Sequence, residues 1–155
     1  ILAENHKILV FSSFVKHLNL LGSWCNERGI PFAMLTGSTT SREKVVNSFK
    51  NKAGIQLFLI SLKAGGVGLN LAEAGYVFIL DPWWNPAAEA QAYDRAHRIG
   101  QTNKVFVYKF ISRNSIEEKI IKLQDEKLQL FDAMINSNNE IMKQLDVNEV
   151  MKLID

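Results

Sequence analysis

The stretch Ile55–Asp81, IQLFLISLKAGGVGLNLAEAGYVFILD, decides the fold class of this 155-residue chain. It begins and ends with continuous apolar runs, Ile55–Ser61 and Tyr76–Asp81. Such runs are typical of strands that are buried on both faces of a sheet. The stretch therefore predicts two neighbouring strands of an α/β domain, joined by a glycine-rich segment.

Three more apolar runs flank this stretch and alternate with helical patterns. They are Lys7–Ser13, Ile30–Leu35 and Lys104–Ser112. Strands that alternate with helices favour a parallel sheet with helices on both faces. The predicted fold class is therefore α/β, with a doubly wound parallel sheet.

Two capping patterns predict where helices begin. Thr40 and Glu43 have the S/T-x-x-E spacing, and Ser115 and Glu118 repeat it. In this arrangement the hydroxyl and the carboxylate each accept a hydrogen bond from a backbone N–H at the helix start. The sequence therefore predicts helices that follow Thr40 and Ser115.

The second of these helices is predicted to end at about residue 135. The polar run NSNN at 136–139 is predicted to break it, before a final amphipathic segment. This pattern divides the chain into a main domain at 1–135 and a C-terminal helical extension at 136–155.

Composition restricts the function classes only loosely. A net charge of +2 permits a nucleic-acid partner without implying one. The single cysteine, Cys25, excludes a disulfide within the chain and is interpreted as a buried thiol in a helix. No metal-ligand spacing and no membrane-length apolar run is present. Because no initiator Met or signal pattern precedes the first strand, the chain reads as an intracellular piece of a longer protein.

The run Gln91–Gln101, QAYDRAHRIGQ, contains two arginines in an alanine-rich context. If the run is helical, Gln91, Arg95 and Arg98 share one face. Two guanidinium groups and an amide on one face are suited to binding an anion. The alternative is that the arginines pair with acidic neighbours on a solvated face.

The loop that would hold a phosphate is absent from the sequence. The pattern G-x-x-x-x-G-K-[ST] does not occur, and GVGLNL has Leu71 where a dinucleotide fingerprint needs its third glycine. Arginines without a phosphate cradle are expected where they complete a site built on another domain, as arginine fingers do.

The segment Asp81–Ile111 resembles the signature of the Swi/Snf family of DNA-dependent ATPases, which are helicase-like motors of superfamily two. KILVFSSF is similar to the family's motif IV, LISLKAGGVGLNL to motif V, and QAYDRAHRIGQ to motif VI. The resemblance implies the second, C-terminal RecA-like lobe. It also implies ATP with Mg²⁺ as cofactor, held mainly by a missing N-terminal lobe.

The resemblance implies a role for each residue of the nucleotide site. Arg98 is the expected arginine finger on the γ-phosphate. Arg95 is expected to hold the same phosphate in the ground state or to pair with acidic residues of the N-terminal lobe. Gln91 positions the nucleotide or the attacking water. Gly68 and Asn70 lie near the sugar, although Asn70 has an alternative reading as a turn residue that bonds its own backbone.

Loops after the first three strands, and the tryptophan after the fourth, are expected to contact DNA. The predicted DNA-binding residues are Ser12, Ser13, Gly37, Lys63, Ala64, Gly65 and Trp84. The first six offer hydroxyls, amides and a charge, which position a duplex without reading its sequence. The resemblance places Trp84 near the minor groove, and core packing is its alternative role.

Two features depart from the family pattern. The segment Gly37–Phe49 is short with Thr36 in place of a frequent Asp, which favours a bacterial source. The large insertion common in eukaryotic remodellers is absent, which counts against nucleosome-specific functions. The expected location is therefore the bacterial nucleoid, or the nucleus if the source is eukaryotic.

The sequence thus predicts the C-terminal half of an ATP-driven translocase or remodeller of double-stranded DNA, inactive by itself. Its expected partners are double-stranded DNA, the N-terminal lobe of the same chain, and RNA polymerase or other DNA-bound proteins. Three alternatives remain open: a stand-alone nucleic-acid or protein binding module, a dinucleotide-dependent enzyme, and RNA in place of DNA.

Overall fold

The computed structural model describes residues 1–64, 69–83 and 104–144, with side chains described through residue 130. Within these ranges the chain forms five strands, three helices and a 3₁₀ turn at Leu2–Glu4. The strands are β1 Ile8–Ser12, β2 Phe32–Leu35, β3 Leu57–Ser61, β4 Tyr76–Ile79 and β5 Phe106–Lys109. The helices are α1 Val15–Glu27, α2 Arg42–Asn51 and α3 Ile116–Gln144.

The five strands form one parallel sheet in the order β2-β3-β1-β4-β5. Ile8 of β1 pairs with Leu57 of β3 on one side and with Tyr76 of β4 on the other. The first strand in the sequence is therefore the central one, as expected when crossover connections place later strands on both sides of it. The predicted parallel α/β sheet is confirmed.

Each face of the sheet carries its own buried cluster. The α1 face contains Ile8, Val10, Leu57 and Leu59 from the strands, together with Leu18 and Cys25 from α1. The other face contains strand residues that pack with Phe49 of α2 and with Leu71 and Ala74 of the β3–β4 connection. Cys25 is the buried helical thiol that the sequence predicts, and burial raises its pKa. The central strands β1 and β3 are thus covered on both faces, whereas the edge strand β5 is exposed. Helices on both faces of one parallel sheet confirm the doubly wound architecture.

Gly29 ends α1 in a conformation that favours glycine. Its φ is 63°, and its N–H donates to the Asn26 carbonyl at 3.1 Å. The next N–H, of Ile30, donates to the Cys25 carbonyl at 2.9 Å. This pair of bonds is the Schellman motif, which satisfies two carbonyls at the helix end and directs the chain toward β2.

The start of α2 differs from the predicted capping box. Its N-cap residue is Ser41, one position later than Thr40, and no side-chain capping bond is present there. The capping role predicted for Thr40 and Glu43 is therefore wrong.

The start of α3 matches its predicted cap in part. Ser115 precedes the helix, and the Glu117 N–H donates to Ser115 Oγ at 3.1 Å. The carboxylate that reaches back belongs to Glu117 rather than Glu118. Its Oε2 accepts from the Ser112 N–H at 2.6 Å, and this bond lowers the pKa of Glu117.

The predicted helix break at 136–139 is wrong, because α3 continues through these residues to Gln144. Asparagine and serine each cost a helix only about 0.5 kcal/mol relative to alanine. Four polar residues without glycine or proline are therefore a weak stop signal. The domain boundary at residue 135 stays a prediction. None of the helices in the described ranges is both long and apolar enough to span a membrane.

Lys7 connects the beginning of β1 to the end of α2. Its Nζ donates to the carbonyl oxygens of Phe49 and Lys50, the latter at 2.7 Å, and lies 4.9 Å from the centre of the Phe49 ring. The last carbonyls of a helix lack intrahelical donors and carry the negative end of the helix dipole. Lys7 therefore caps α2 with a positive charge.

The variant Lys7→Met should lower the free energy of unfolding by about 1–2 kcal/mol, because it leaves two carbonyls without their charged donor. Urea unfolding followed by circular dichroism measures this loss. The control variant Lys44→Met, at an exposed position of α2, should change stability by less than about 0.5 kcal/mol. Equal losses in the two variants would contradict the capping role.

Candidate functional site

The carboxyl ends of β2, β3, β1 and β4 lie side by side at one edge of the sheet. Since the strands are parallel, the loops that follow them meet at this edge, which is where ligands bind in open α/β sheets. We call it the carboxyl edge. Its described residues are Ser12–Phe14, Thr36–Thr39, Ser61–Ala64 and Asp81–Trp83.

The loop after β2 is a tight turn that leaves Gly37 exposed. The Thr36 N–H donates to Thr39 Oγ1 at 3.0 Å, and the Thr39 N–H donates to the Thr36 carbonyl at 3.1 Å. The hydroxyls of Thr36 and Ser38 are 2.9 Å apart. A Cβ built on Gly37 meets nothing within 4 Å. The backbone at Gly37 is therefore accessible, as its predicted contact with DNA requires.

The loop after β3 presents Lys63 but encloses Ala64. Lys63 is exposed, whereas Ala64 is buried. The Ala64 N–H donates to Ser61 Oγ at 3.2 Å, so this amide is already bonded within the protein. The DNA contact predicted for Lys63 is compatible with its exposure. The arrangement counts against a DNA contact by the amide of Ala64, and both roles stay predictions.

Ser12 is enclosed at the end of β1, with 0% of its surface exposed. Its hydroxyl donates to Asp81 Oδ1 and accepts from the Phe14 N–H at 3.0 Å. A hydroxyl has a single proton to donate, and the Phe14 carbonyl at 3.1 Å is a second acceptor for it, so both acceptors lie within the protein. This burial counts against the predicted contact between the Ser12 hydroxyl and DNA, which stays a prediction.

Ser13 is half-buried and uses its backbone rather than its side chain. Its N–H donates to Asp81 Oδ2 at 2.6 Å. Its Oγ is buried without a hydrogen-bond partner in the part of the chain that the structure describes. Buried hydroxyls are normally paired, and the enclosure of this oxygen counts against a direct DNA contact, as it does for Ser12. The DNA contact of Ser13 therefore stays a prediction.

Asp81 was not among the predicted site residues. It lies two residues after the end of β4 and is only 4% exposed, yet its two oxygens accept from Ser12 and Ser13. The Nδ1 of His17, in the first turn of α1, is 3.6 Å from Asp81 Oδ1. The available sequence signal was an acidic residue immediately after a buried strand, but the sequence does not show which residues would pair with it.

Gln124 is a second residue that sequence reasoning missed. It lies on α3 with 3% of its surface exposed. Its Nε2 donates to the Trp83 carbonyl, and its Oε1 accepts from Lys109 Nζ at 3.4 Å. Gln124 therefore connects α3 both to β5 and to the segment that leaves β4.

Asn70 is the one predicted nucleotide residue within the described ranges. It is exposed, and its Oδ1 accepts from the Ala72 N–H at 3.4 Å. This bond agrees with the alternative prediction that Asn70 is a turn residue bonded to the local backbone. It borders an open groove beside α2, which Arg42 and Asn47 also line. Its role at the nucleotide stays a prediction.

The remaining predicted site residues lie outside the described residues, and their roles stay predictions. They are Gly65, Gly68, Trp84, Gln91, Arg95 and Arg98.

Comparison with known proteins identifies the domain. Residues 1–100 match the helicase conserved C-terminal domain. The chain is also similar to the crystal structure of the C-terminal part of the Fun30 ATPase domain, with a TM-score of 0.75 and 40% sequence identity. That match covers 79% of this chain and 40% of the other. The RecA-like fold of a helicase C-terminal lobe is therefore confirmed.

Among the relatives are a helicase, a helicase-like transcription factor and a DNA repair protein. The chain is 43% identical over 149 residues to the ATP-dependent helicase rhp16 of Schizosaccharomyces pombe, covering 95% of this chain and 17% of that protein. It is 43% identical over 158 residues to the helicase-like transcription factor of Homo sapiens, covering 97% and 16%. It is 41% identical over 150 residues to the DNA repair protein RAD5 of Gibberella zeae, covering 96% and 13%.

These relatives are eukaryotic, so the expectation of a bacterial source is not supported. The short Gly37–Phe49 segment does not mark a bacterial lobe, because eukaryotic relatives align with nearly the whole chain. The chain spans less than a fifth of the length of each of the three. The relatives are of the Swi/Snf type, and this chain belongs to the helicase conserved C-terminal domain family.

Proposed function

We propose that this chain is the C-terminal half of an ATP-driven translocase that moves on double-stranded DNA. The observation that carries the proposal is the match of residues 1–100 to the helicase conserved C-terminal domain. The geometry is compatible with it, since the loops expected to contact DNA meet at the carboxyl edge of one parallel sheet. The whole motor would need a second lobe that holds ATP.

The contribution of this lobe to the ATP site rests on its arginines. Arg98 would stabilise the charge that develops on the γ-phosphate oxygens, because a planar guanidinium can donate two parallel hydrogen bonds. Arg95 and Gln91 would hold the same phosphate and the attacking water. Gly68 and Asn70 would border the sugar. Mg²⁺ would be held mainly by the N-terminal lobe and would neutralise charge on the phosphates.

The contribution to DNA binding rests on the carboxyl edge. Gly37 offers an accessible backbone and Lys63 an exposed positive charge. These groups suit phosphate oxygens rather than base edges. Binding by this lobe should therefore be weak, independent of sequence and dependent on salt.

The names of the relatives favour a nuclear role over the bacterial nucleoid. The DNA repair protein and the helicase-like transcription factor come from eukaryotes. We therefore place the parent protein in the nucleus. RNA polymerase or other proteins bound to DNA are its proposed targets.

The competing function is a stand-alone binding module without ATPase activity. Measurement of ATP hydrolysis separates the two. The full-length parent should hydrolyse ATP faster when double-stranded DNA is added, whereas this chain alone should show no turnover, because it has no phosphate loop. A full-length parent without DNA-stimulated turnover would refute the motor and favour the binding module. Turnover by the isolated chain would refute the division of the site between two lobes.

A further inference from the structure

A buried carboxylate lies at the centre of the carboxyl edge. Asp81 is 4% exposed and accepts two hydrogen bonds, from the Ser12 hydroxyl and from the Ser13 N–H. Burying a charge is costly unless donors compensate it, and the two donors are the last residue of β1 and the first residue after it. These contacts join two loops that lie far apart in the sequence but leave adjacent strands.

The same carboxylate also reaches α1. His17 Nδ1 lies 3.6 Å from Asp81 Oδ1, within ion-pair distance when the imidazole is protonated. The Phe14 N–H donates to Ser12 Oγ, so the entry into α1 is fixed to the same hydroxyl that Asp81 binds. Asp81 therefore determines where the turn Ser12–Phe14 lies relative to β4.

The segment after Asp81 is fixed from its other side. The Trp83 carbonyl accepts from Gln124 Nε2, and Gln124 in turn accepts from Lys109 of β5. The short segment Asp81–Trp83 is thus held at both ends, by the β1 loop and by α3. It leads directly into Trp84 and the arginine-bearing run in the sequence.

We propose that Asp81 is a positioning residue for DNA binding, which holds the Ser12–Phe14 turn in the geometry that receives a DNA phosphate. This proposal rests on the proposed function. Asp81 itself does not contact the duplex, because it is buried and carries the same sign of charge as the phosphates. It acts through the position of the turn, whose Ser13 N–H it binds at the carboxyl edge.

The direction of the change in DNA affinity distinguishes a positioning role of Asp81 from a purely electrostatic one. The variant Asp81→Asn removes a negative charge close to the DNA surface, so electrostatics alone predicts tighter binding of the polyanion. It also replaces one carboxylate oxygen with an NH₂ group, which donates hydrogen bonds and does not accept them. The single oxygen that remains cannot serve both Ser12 and Ser13. Loss of position therefore predicts weaker binding.

The experiment measures ATP hydrolysis by the full-length parent as a function of double-stranded DNA concentration. In Asp81→Asn the concentration that gives half-maximal stimulation should rise about tenfold, as expected for one lost charged hydrogen bond. The effect should fall on this concentration more than on kcat. The variant Ser12→Ala should produce a smaller rise in the same direction. Because both variants break one contact, the double variant should be less impaired than the product of the single effects.

Lys7→Met is the matched control, because it removes a charged side chain from the opposite end of β1. It should lower the melting temperature without changing the half-maximal DNA concentration. An unchanged or lowered half-maximal concentration in Asp81→Asn would overturn the proposal, as would an equal rise in Lys7→Met. If the unmodified parent shows no stimulation by DNA, the proposed function fails, and the positioning role fails with it.

Discussion

Arg98→Ala in the full-length parent is expected to abolish DNA-stimulated ATP hydrolysis while leaving ATP and DNA binding nearly unchanged. An arginine finger acts where negative charge develops in the transition state, so its loss should lower kcat, by roughly 10³- to 10⁵-fold as for other arginine fingers. In a helical run Arg98 shares a face with Gln91 and Arg95, so a closed cleft can present all three to one phosphate. Single-turnover hydrolysis and nucleotide binding, measured on the same preparations, test the assignment.

Two further variants sharpen this test. Arg98→Lys should restore little activity, because an ammonium on a flexible stem lacks the guanidinium fork. Arg95→Ala should weaken nucleotide binding as well as turnover. If the two arginines only pair with acidic neighbours, both alanine variants would lower the melting temperature and keep normal turnover per folded molecule. Normal turnover in Arg98→Ala would end the arginine-finger assignment.

Phe58→Ala should lower the free energy of unfolding by about 3–5 kcal/mol, which is the usual cost of removing a buried phenyl ring. Phe58 lies on β3 with 0% exposure, and its ring centre is 4.9 Å from that of Phe49 on α2. The deletion therefore opens a cavity between the sheet and the helix that covers it. Urea unfolding of the chain, followed by circular dichroism, measures the loss.

Phe14→Ala is the control of the same residue type, since Phe14 is 56% exposed. Its replacement should cost less than about 1 kcal/mol, because the ring gives up little buried area. A loss as large as that of Phe58→Ala would mean that the apolar contacts of the Ser12–Phe14 turn contribute more to stability than their exposure indicates.

The sequence predicted the sheet well because continuous apolar runs have few alternative uses. Every predicted strand is present, and the structure shortens each run at one or both ends. Helix boundaries were harder to predict, because a neighbouring residue can serve as the N-cap in place of the predicted one. Ser41 is the N-cap residue of α2 where Thr40 was predicted. Residues 136–139 were predicted to break α3, but they contain no glycine or proline and the helix continues through them.

The site residues could be predicted from the sequence only where a residue acts through its own side chain or backbone and needs no partner from a distant part of the chain. The exposure of Gly37 and Lys63 agrees with the roles their sequence context predicts. Ser12 does not follow this rule, since its hydroxyl is bound by a carboxylate whose position in the sequence is remote. Such a pairing depends on the order of strands in the sheet. Local patterns do not encode that order, so Asp81 and Gln124 became evident only in the folded chain.

The central position of β1 also has a kinetic consequence. During synthesis β1 emerges before its hydrogen-bonding partners β3 and β4, which follow much later in the sequence. Until they appear, a strand of five buried residues has both of its edges open. Contacts between distant residues must overcome loop-closure entropy before they stabilise the chain. Parallel sheets of this kind therefore fold slowly, through intermediates that expose apolar surface and are prone to aggregate. A nascent chain halted before β4 would therefore be a natural client for a chaperone that shields unpaired apolar strands.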